Sequence, residues 1–268
     1  MVTFPPCKIN LGLHVLVRRP DGYHDISTCF YPVPWTDLLE ILPAASLDFK
    51  QTGISIPGKL QDNLCLKAYE MLKNDFQLPS VQIHLHKIIP TGAGLGGGSS
   101  DAAHTLRLLN SIFQLKLSQQ QLMEYALRLG SDCPFFLLDK PMLGRGRGEL
   151  LVQVPVNLKG FYLVILTPGI HVSTAEAYAG VNPTIPREGL PQMIDRPLTE
   201  WKTMLRNDFE NSIFKKYPII QELKERLYST GAIYASMSGS GSSLFGIFEK
   251  EHRIENRFMD VPRWSGWL

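Results

Sequence analysis

A glycine-rich stretch, Pro90–Ala103, has the residue types and the spacing of a phosphate-binding loop. It reads PTGAGLGGGSSDAA, and glycine or alanine occupies six of the seven positions from Gly92 to Gly98. Glycine lets the backbone adopt positive φ angles and lets a ligand approach the main chain. The apolar spacing after the loop predicts a helix, whose first turn offers unpaired N–H groups and the positive end of a dipole. Together these features predict an anion site, most often one for phosphate.

Two other glycine motifs and a plain linker are the alternatives to this interpretation. Gly92, Gly94 and Gly97 match the dinucleotide fingerprint GxGxxG, but the strand predicted before them alternates instead of being continuously apolar. Leu117 occupies the region where that fingerprint expects an acidic residue. The loop contains no lysine, which excludes the pattern GxxxxGK[ST]. A flexible linker would not run directly into an amphipathic helix.

Asp132 is the candidate catalytic carboxylate. It lies in Gly130–Phe136, GSDCPFF, where a single acid is flanked by cysteine, proline and two phenylalanines. Such surroundings favour a desolvated, functional acid. The alternative, which the sequence leaves open, is a turn between a helix and a strand that Asp132 caps.

Two turns carry further candidate residues. Tyr23 and His24 follow the turn signal Arg18–Gly22 and are either ligand-binding side chains or part of a solvated turn. Arg145 and Arg147 alternate with glycines, which fits an anion-binding turn and a hairpin equally well.

The glycine-rich stretch follows a predicted strand, Val81–Lys87, in which apolar and polar residues alternate. His84 and His86 lie on its polar face with the HxH spacing of metal ligands. No third ligand of matching type is nearby, so a solvated strand face is the favoured interpretation.

Periodicity predicts the elements that position these residues. Alternation or continuous apolarity predicts strands at residues 9–17, 38–49, 161–166, 232–236 and 242–248. Apolar spacings of three and four predict helices at residues 64–72, from Ala102 onward, at 118–129 and at 219–227. The predicted caps of the first three helices are Gln61–Asn63, one of Ser99, Ser100 and Asp101, and Ser118. Residues 180–200 contain several prolines and no periodicity, which predicts a surface loop, and residues 258–268 are predicted to pack on the body as a tail.

Composition is that of an ordinary globular protein of one or two domains, with 268 residues, 44% hydrophobic and 19% charged. A net charge of +2 gives no reason to expect nucleic acid or an anionic membrane as a partner. The four cysteines form no CxxC pair, which fits a reducing cytoplasm. No secretory signal and no apolar run of about 18 residues occur, so we expect a cytoplasmic protein.

Pro90–Ala103 resembles the ATP-phosphate loop of the GHMP small-molecule kinases, which include galactokinase and the homoserine and mevalonate kinases. Four further stretches resemble motifs of this family in the correct order: Lys8–Asn10, Asp21–His24, Gly130–Pro134 and Met237–Gly241. The Tyr-His pair after Asp-Gly is most similar to the branch of the family that phosphorylates 4-diphosphocytidyl-2-C-methyl-D-erythritol. The chain departs mildly from that pattern at Cys7 and Cys133, where Ala and Val are more frequent.

The resemblance implies an α+β fold with two lobes. An N-terminal ATP-binding lobe like the second domain of ribosomal S5 would span residues 1–154, and a ferredoxin-like C-terminal lobe residues 155–268. The implied reaction uses ATP and Mg²⁺ to phosphorylate the 2-hydroxyl of 4-diphosphocytidyl-2-C-methyl-D-erythritol, a step of isoprenoid precursor synthesis by the methylerythritol phosphate route. The implied partners are these small molecules, without nucleic acid or membrane, in a monomer or homodimer.

The resemblance also implies a set of site residues. Asp132 would accept the proton of the substrate hydroxyl, and Lys8 would keep Asp132 ionised and stabilise charge on the transferred group. The implied ATP contacts are Pro90, Thr91, Gly92, Ala93, Gly94, Leu95, Gly96, Gly97, Gly98, Ser99, Ser100, Asn63 and Lys87. The implied substrate contacts are Asn10, Tyr23, His24, Thr174 and Tyr178, with both tyrosines stacking on the cytosine and the histidine reading its edge. Ser100 is also the candidate contact for Mg²⁺.

Two rival interpretations are weighed against this one. A homoserine or mevalonate kinase acts on a substrate without a base, so Tyr23, His24 and Tyr178 argue against it. A non-catalytic ATP-binding sensor with the same fold has no use for Lys8 and Asp132, so their presence argues against that class.

Overall fold

The structure, a computed structural model, describes residues 1–251 and 258–268. Its strands are β1 (Val2–Thr3), β2 (Pro6–Arg18), β3 (His24–Thr36), β4 (Leu38–Pro43), β5 (Asp48–Gly53), β6 (Val81–Lys87), β7 (Met142–Arg145), β8 (Leu150–Gln153), β9 (Tyr162–Leu166), β10 (Tyr234–Met237), β11 (Leu244–Phe248) and β12 (Arg263–Trp267). Its α-helices are α1 (Leu64–Phe76), α2 (Gly97–Ile112), α3 (Gln119–Leu129), α4 (Thr174–Ala179), α5 (Leu190–Ile194), α6 (Leu198–Met204), α7 (Glu210–Lys216) and α8 (Pro218–Ser229). Short 3₁₀ helices lie at Leu60–Asp62 and Cys133–Leu137. This mixture of sheet and helix confirms the α+β prediction.

The described chain divides into two compact units. Unit 1 contains Met1–Cys7, Trp35–Thr91 and Gly96–Asp139, and unit 2 contains Lys8–Pro34, Gly92–Leu95 and Lys140–Leu268. The glycine-rich stretch therefore contributes residues to both units. The lobe boundary between residues 154 and 155 stays a prediction.

Unit 1 is built on a four-stranded sheet in the order β1-β4-β6-β5. β4 runs antiparallel to β6, and β5 runs parallel to it. The alternation in β6 buries Val81, Ile83 and Leu85 on one face. Helices α1 and α3 both pack against α2, so this unit holds the strand and the helix that flank the loop.

Unit 2 contains two four-stranded sheets, in the orders β2-β3-β7-β8 and β10-β11-β9-β12. β9 is an inner strand whose residues are all buried, which explains why its sequence, YLVIL, is apolar without alternation. The predicted C-terminal tail, residues 258–268, contains β12, which pairs antiparallel with β9. Helix α8 buries Ile220, Leu223 and Leu227 in a core cluster with Val164 and Phe248.

Several predicted elements are confirmed. The strands expected at 81–87 and 161–166 are β6 and β9, and the helices expected at 64–72 and 219–227 are α1 and α8. Asn63 caps α1 by accepting a hydrogen bond from the Cys65 amide at 2.9 Å, and Ser118 caps α3 through a capping box. The glycine turn with Arg145 and Arg147 connects β7 to β8, so the hairpin interpretation is correct.

The predicted start and cap of α2 are wrong. The helix begins at Gly97, before the first apolar-periodic residue, Ala102, and its N-cap is Gly96 at φ +72°. None of Ser99, Ser100 and Asp101 caps it, because all three lie inside the helix. A Cβ at Gly97 would lie 3.0 Å from Ile89 and 3.1 Å from Lys87 Nζ. The first turn of α2 therefore needs small residues. For that reason the spacing of apolar residues does not reveal where the helix begins.

Proline misled two further predictions. Residues 180–200, predicted to be a loop, hold α5 and the start of α6. Pro191 lies in the first turn of α5 and Pro197 is the N-cap of α6, where the N–H that proline lacks would be unpaired in any case. The long strand β3 was not predicted because Pro32 and Pro34 interrupt its pattern.

His104 should make the stability of the protein sensitive to acid. Its ring is buried in α2, and its Nδ1 lies 2.9 Å from the Thr3 hydroxyl. Burial, reinforced by the charge of Arg107, lowers its pKa from 6.5 to about 4. The contribution of neutral His104 to the free energy of unfolding is therefore fully present above about pH 6.5 and is lost as pH falls towards 4. We expect His104→Asn to remove up to about 3 kcal/mol of this pH dependence in urea unfolding.

Thr3→Val is the matched control for His104. It removes the hydrogen bond but keeps the titrating ring, so it should lower the free energy of unfolding by about 1 kcal/mol at every pH. The pH slope of this variant should equal that of the wild type. A wild-type slope in His104→Asn would contradict the prediction.

Candidate active site

Lys8 is held in a fixed position within unit 2. It is 3% exposed, and its ammonium group donates hydrogen bonds to Asn10 Oδ1 at 2.6 Å and to the Gly94 carbonyl at 2.8 Å. Its Nζ also lies 5.5 Å from the centre of the Phe30 ring. The Lys8 amide donates to the Leu95 carbonyl at 2.9 Å. Lys8, which lies on strand β2, is therefore hydrogen-bonded through both its backbone and its side chain to the first half of the glycine loop.

Asn10 supports Lys8 from the same strand. Its Oδ1 accepts from Lys8 and lies 3.4 Å from Ser238 Oγ, while its Nδ2 donates to Thr28 Oγ1 at 2.8 Å. Thr28 donates in turn to the Gly12 carbonyl at 2.6 Å. A buried amide with partners on both sides fixes the group that it holds. The predicted contact of Asn10 with the substrate stays a prediction.

The C-terminal glycine motif, Met237–Gly241, packs against the Gly92–Leu95 segment within unit 2. Ser238 Oγ donates to the Gly94 carbonyl at 2.9 Å. Gly94 has φ +78°, and a Cβ there would lie 2.0 Å from the Ser238 carbonyl oxygen. Both the backbone angle and the close approach therefore require glycine at this position.

Gly94→Ala should lower the free energy of unfolding by at least about 2 kcal/mol, because positive φ disfavours a side chain and the Cβ overlaps Ser238. Urea unfolding measures this loss. Gly98→Ala is the matched control, since Gly98 is helical and nothing lies within 4 Å of a Cβ there. It should be neutral or stabilising. Equal losses in the two variants would contradict the prediction.

An aromatic cluster in unit 2 brings together three of the predicted substrate residues. The rings of His24 and Tyr178 are stacked, with centroids 4.7 Å apart and planes at 17°. Phe209 meets Tyr178 edge-on at 4.9 Å. Thr174 begins α4 and lies one turn before Tyr178, on the same face of the helix. This surface offers flat apolar rings with polar groups beside them.

Tyr23 lies at the turn between β2 and β3 and is 56% exposed. The Arg147 guanidinium lies 5.0 Å from the centre of its ring, and Asp21 Oδ1 accepts from its amide at 3.1 Å. Burial, followed by the charge of Arg18, lowers the pKa of His24. A neutral imidazole offers one donor and one acceptor, which suits the polar edge of a base.

The start of α2, in unit 1, has the properties of an anion site. Its N-cap, Gly96, has no side chain that could satisfy the N–H groups of the first turn. Ser100 Oγ is buried and has no hydrogen-bond partner among the residues that the structure describes. A buried hydroxyl in this state is well suited to a ligand oxygen or a metal ion.

Lys87 is buried with two carboxylates of unit 1. Its Nζ donates to Asp37 and, at 2.8 Å, to Asp101 Oδ2. Asp37 Oδ1 accepts from the amides of Ile88 at 2.5 Å and Ile89 at 2.9 Å. Burial alone lowers the pKa of Lys87, but the two negative charges raise it. Burial raises the pKa of Asp101 to about 7. Lys87 thus ties β6 to α2, and its predicted contact with ATP stays a prediction.

Asp132 belongs to unit 1 and is half-buried before the 3₁₀ helix Cys133–Leu137. Its carbonyl accepts from the Phe135 amide at 3.2 Å, but its side chain makes no capping bond to that helix. The capping interpretation is therefore wrong. Burial raises the pKa of the neighbouring Cys133 thiol to about 12, so that thiol stays protonated near neutral pH.

The two histidines of β6 share a hydroxyl partner. Thr52 Oγ1 lies 2.9 Å from His84 Nε2 and 2.9 Å from His86 Nδ1. Within residues 1–251 and 258–268, no group of three or more His, Cys, Asp and Glu side chains could hold a metal ion. Over the same residues, no helix is both long and apolar enough to span a membrane.

The predicted ATP contact of Asn63, whose oxygen caps α1, stays a prediction.

Sequence reasoning missed three polar residues that support the site. Asp37 lies in the segment WTDLLE, next to a threonine and three residues before another acid, so its signal is weaker than that of Asp132. Ser238 lies inside a motif that was recognised only for its glycines. Asn207 stands between two charged residues and gives no signal.

Comparisons with known proteins agree over nearly the whole chain. The family models described as GHMP kinases N terminal domain and GHMP kinases C terminal match residues 63–140 and 190–258. The chain is 53% identical over 249 residues to a 4-diphosphocytidyl-2-C-methyl-D-erythritol kinase of Cytophaga hutchinsonii, covering 92% of each. It is 50% identical over 258 residues to the protein of that name in Bacteroides fragilis, covering 95% of this chain and 94% of the relative.

A solved structure gives the same result for the fold. The crystal structure of a 4-(cytidine 5'-diphospho)-2C-methyl-D-erythritol kinase matches with a TM-score of 0.85 at 32% identity. The match covers 99% of this chain and 98% of that one. Identity and coverage at this level show that the chain belongs to the GHMP kinases and, within them, to the family of the 4-diphosphocytidyl-2-C-methyl-D-erythritol kinases.

Proposed function

We propose that this protein transfers the γ-phosphoryl group of ATP to the 2-hydroxyl group of 4-diphosphocytidyl-2-C-methyl-D-erythritol, in isoprenoid precursor synthesis. The names of relatives at 50% identity and above support this substrate. Within the chain, the observation that carries the proposal is the aromatic group of His24, Tyr178 and the exposed Tyr23. A substrate with a flat pyrimidine gains from such rings, and one without a base does not.

ATP would be bound by the glycine loop and the start of α2. Phosphoryl transfer depends mainly on positioning and on stabilisation of charge. Backbone N–H groups of Gly92–Gly98, with Ser99 and Ser100, would hold the β and γ phosphates at the positive end of the helix dipole. The uncapped start of α2 supports this assignment.

Asp132 and Lys8 would share the chemical step. The 2-hydroxyl oxygen forms a bond to the γ-phosphorus, the bond from that phosphorus to the bridging oxygen of ADP breaks, and the hydroxyl proton passes to the Asp132 carboxylate. A tertiary alcohol is a poor nucleophile, so a base within hydrogen-bond reach accelerates the step. The ammonium of Lys8, fixed by Asn10 and Gly94, would stabilise charge on the transferred group.

Ser100 is the residue that we assign to Mg²⁺. The fit rests on its buried Oγ, which has no hydrogen-bond partner in residues 1–251 and 258–268. Mg²⁺ is usually held by one or two protein oxygens together with substrate phosphates, so a site with few protein ligands is suitable. When bound, the ion supplies positive charge that neutralises the phosphate oxygens.

Tyr23→Ala should raise the KM for the cytidine substrate about tenfold or more and leave the KM for ATP unchanged, because one stacking contact with the base is lost. Steady-state ADP release with Mg²⁺ and ATP measures both constants. Tyr23→Phe is the matched control, since it keeps the ring and removes only the hydroxyl. It should retain a KM close to that of the wild type.

Competition by cytidine nucleotides tests the substrate itself. CDP should inhibit the wild-type reaction, whereas a homoserine or mevalonate kinase should ignore it. Turnover of homoserine or mevalonate without inhibition by CDP would contradict the proposed function. ATP binding without turnover of any of these alcohols would instead support a non-catalytic sensor.

A further inference from the structure

The segment Asn207–Glu210, in unit 2, contacts several of the segments that carry predicted site residues. Asn207 is 2% exposed, and its Nδ2 donates to the Met237 carbonyl at 2.9 Å and to the Gly239 carbonyl at 2.8 Å. Its Oδ1 accepts from the Phe209 amide at 3.0 Å. A buried amide with both donors and its acceptor satisfied holds its partners in one arrangement.

On one side, Asn207 is connected to Lys8. The two carbonyls that it binds flank Ser238, whose Oγ donates to the Gly94 carbonyl at 2.9 Å. That same carbonyl accepts from Lys8 Nζ at 2.8 Å. A Cβ at Gly239 would lie 3.3 Å from Lys8 Nζ, so the turn that Asn207 fixes passes close to the ammonium group.

On the other side, Asn207 is connected to the aromatic cluster. The amide that its Oδ1 binds belongs to Phe209, and the Phe209 ring meets Tyr178 edge-on at 4.9 Å. Tyr178 stacks on His24 at 4.7 Å. A shift of the Asn207 turn would therefore move the edge against which Tyr178 packs.

The neighbours of Asn207 bind the same surroundings. Asp208 Oδ2 accepts from the Val15 amide of β2 at 2.9 Å, so the segment also holds the strand that carries Lys8. Glu210 Oε1 accepts from the Met237 amide at 2.8 Å. Met237 is thus held through both its amide and its carbonyl, which leaves the glycine motif little freedom.

We propose that Asn207 is a positioning residue that holds the Lys8 ammonium and the Tyr178 ring in their working arrangement from a single buried amide. The catalytic part of this inference rests on the proposed function, and the structural part does not. The prediction is that loss of the two Nδ2 donors loosens Lys8, while loss of the Oδ1 acceptor disturbs Tyr178.

Asn207→Ser distinguishes the role of the Oδ1 acceptor from that of the two Nδ2 donors. A serine hydroxyl can still accept from the amide two residues later, which keeps the bond to Phe209, but it does not reach the carbonyls of Met237 and Gly239. Asn207→Ala removes the acceptor and both donors. Leu223→Ala is the control for a general loss of stability, because it opens a cavity in the same unit at a side chain that makes none of these hydrogen bonds.

The first readout is the rate at which limiting acetic anhydride acetylates individual lysines, followed by mass spectrometry. Lys87, buried in unit 1, is the internal reference. In Asn207→Ser we expect Lys8 to react at least about tenfold faster, the factor that corresponds to one net hydrogen bond, with Lys87 unchanged. An unchanged Lys8, or a parallel rise at Lys8 and Lys87, would overturn the proposal.

The second readout is turnover. Asn207→Ser should lower kcat by up to roughly a hundredfold with little change in the KM of the cytidine substrate, because Lys8 is displaced and Phe209 is not. Asn207→Ala should also raise that KM. A kcat that falls no further than in Leu223→Ala would overturn the proposal. Wild-type protein that does not phosphorylate the substrate would refute the proposed function, and the acetylation rates would still decide the role of Asn207.

Discussion

Replacement of Asp132 by asparagine is expected to lower kcat for the cytidine substrate by a factor of about 10² to 10⁴. Asparagine has nearly the same size and polarity as aspartate but cannot take up the proton that the 2-hydroxyl group must lose. The glycine loop is untouched, so the affinity for ATP should stay the same. Steady-state ADP release measures kcat, and calorimetric titration with a non-hydrolysable ATP analogue and Mg²⁺ measures affinity.

Asp139→Asn is the matched control for Asp132. The same change is made in the same unit, at a carboxylate that pairs with Arg107 at 2.7 Å. Asp139 has φ +53°, which asparagine adopts as readily as aspartate, so no backbone strain is introduced. Its kcat should be that of the wild type. Turnover that survives in Asp132→Asn would keep the kinase assignment and remove Asp132 as the base.

Elements with a clear period could be predicted because local burial alone generates the pattern. β6 alternates since one face of the sheet is covered, and α8 repeats at three and four since one stripe is buried. The start of α2 could not be predicted, because the demand for small residues there comes from Ile89 and Lys87, which approach Gly97 only after folding. The glycines of the loop predict a phosphate-binding site from sequence, whereas the packing contacts of the loop cannot be predicted in that way.

The candidate site shows the same division. Lys8, Tyr23 and Asp132 were predicted because they stand in recognisable motifs, and their roles remain predictions. Asn207 was not predicted, because its importance comes from three hydrogen-bond partners that lie close to it only after folding. Lys87 was assigned to ATP by resemblance, and its two carboxylate partners are distant in sequence, so no local pattern could reveal them.

Lys87→Met should lower the free energy of unfolding by about 3–5 kcal/mol, because it leaves two buried carboxylates without their cation. The side chains of Lys87 and Asp37 are fully buried, and that of Asp101 is 3% exposed. Burial already raises the pKa of Asp101 to about 7, and removal of the nearby positive charge raises it further. A raised carboxyl pKa favours the folded state at low pH, so the loss of stability should be smaller near pH 5 than near pH 8.

Lys67→Met is the control that isolates burial from charge. It also removes a lysine ammonium group from unit 1, but the side chain of Lys67 is 44% exposed. Its Nζ lies 3.6 Å from Oδ1 of Asp62, whose side chain is 68% exposed. An exposed pair contributes less than about 1 kcal/mol, so this variant should unfold almost like the wild type. Lys87→Met that unfolds like the wild type would contradict the prediction. A large loss of stability in Lys87→Met alone would identify the lysine as the buried tie between β6 and α2, and the KM of the folded variant for ATP would test the predicted ATP contact separately.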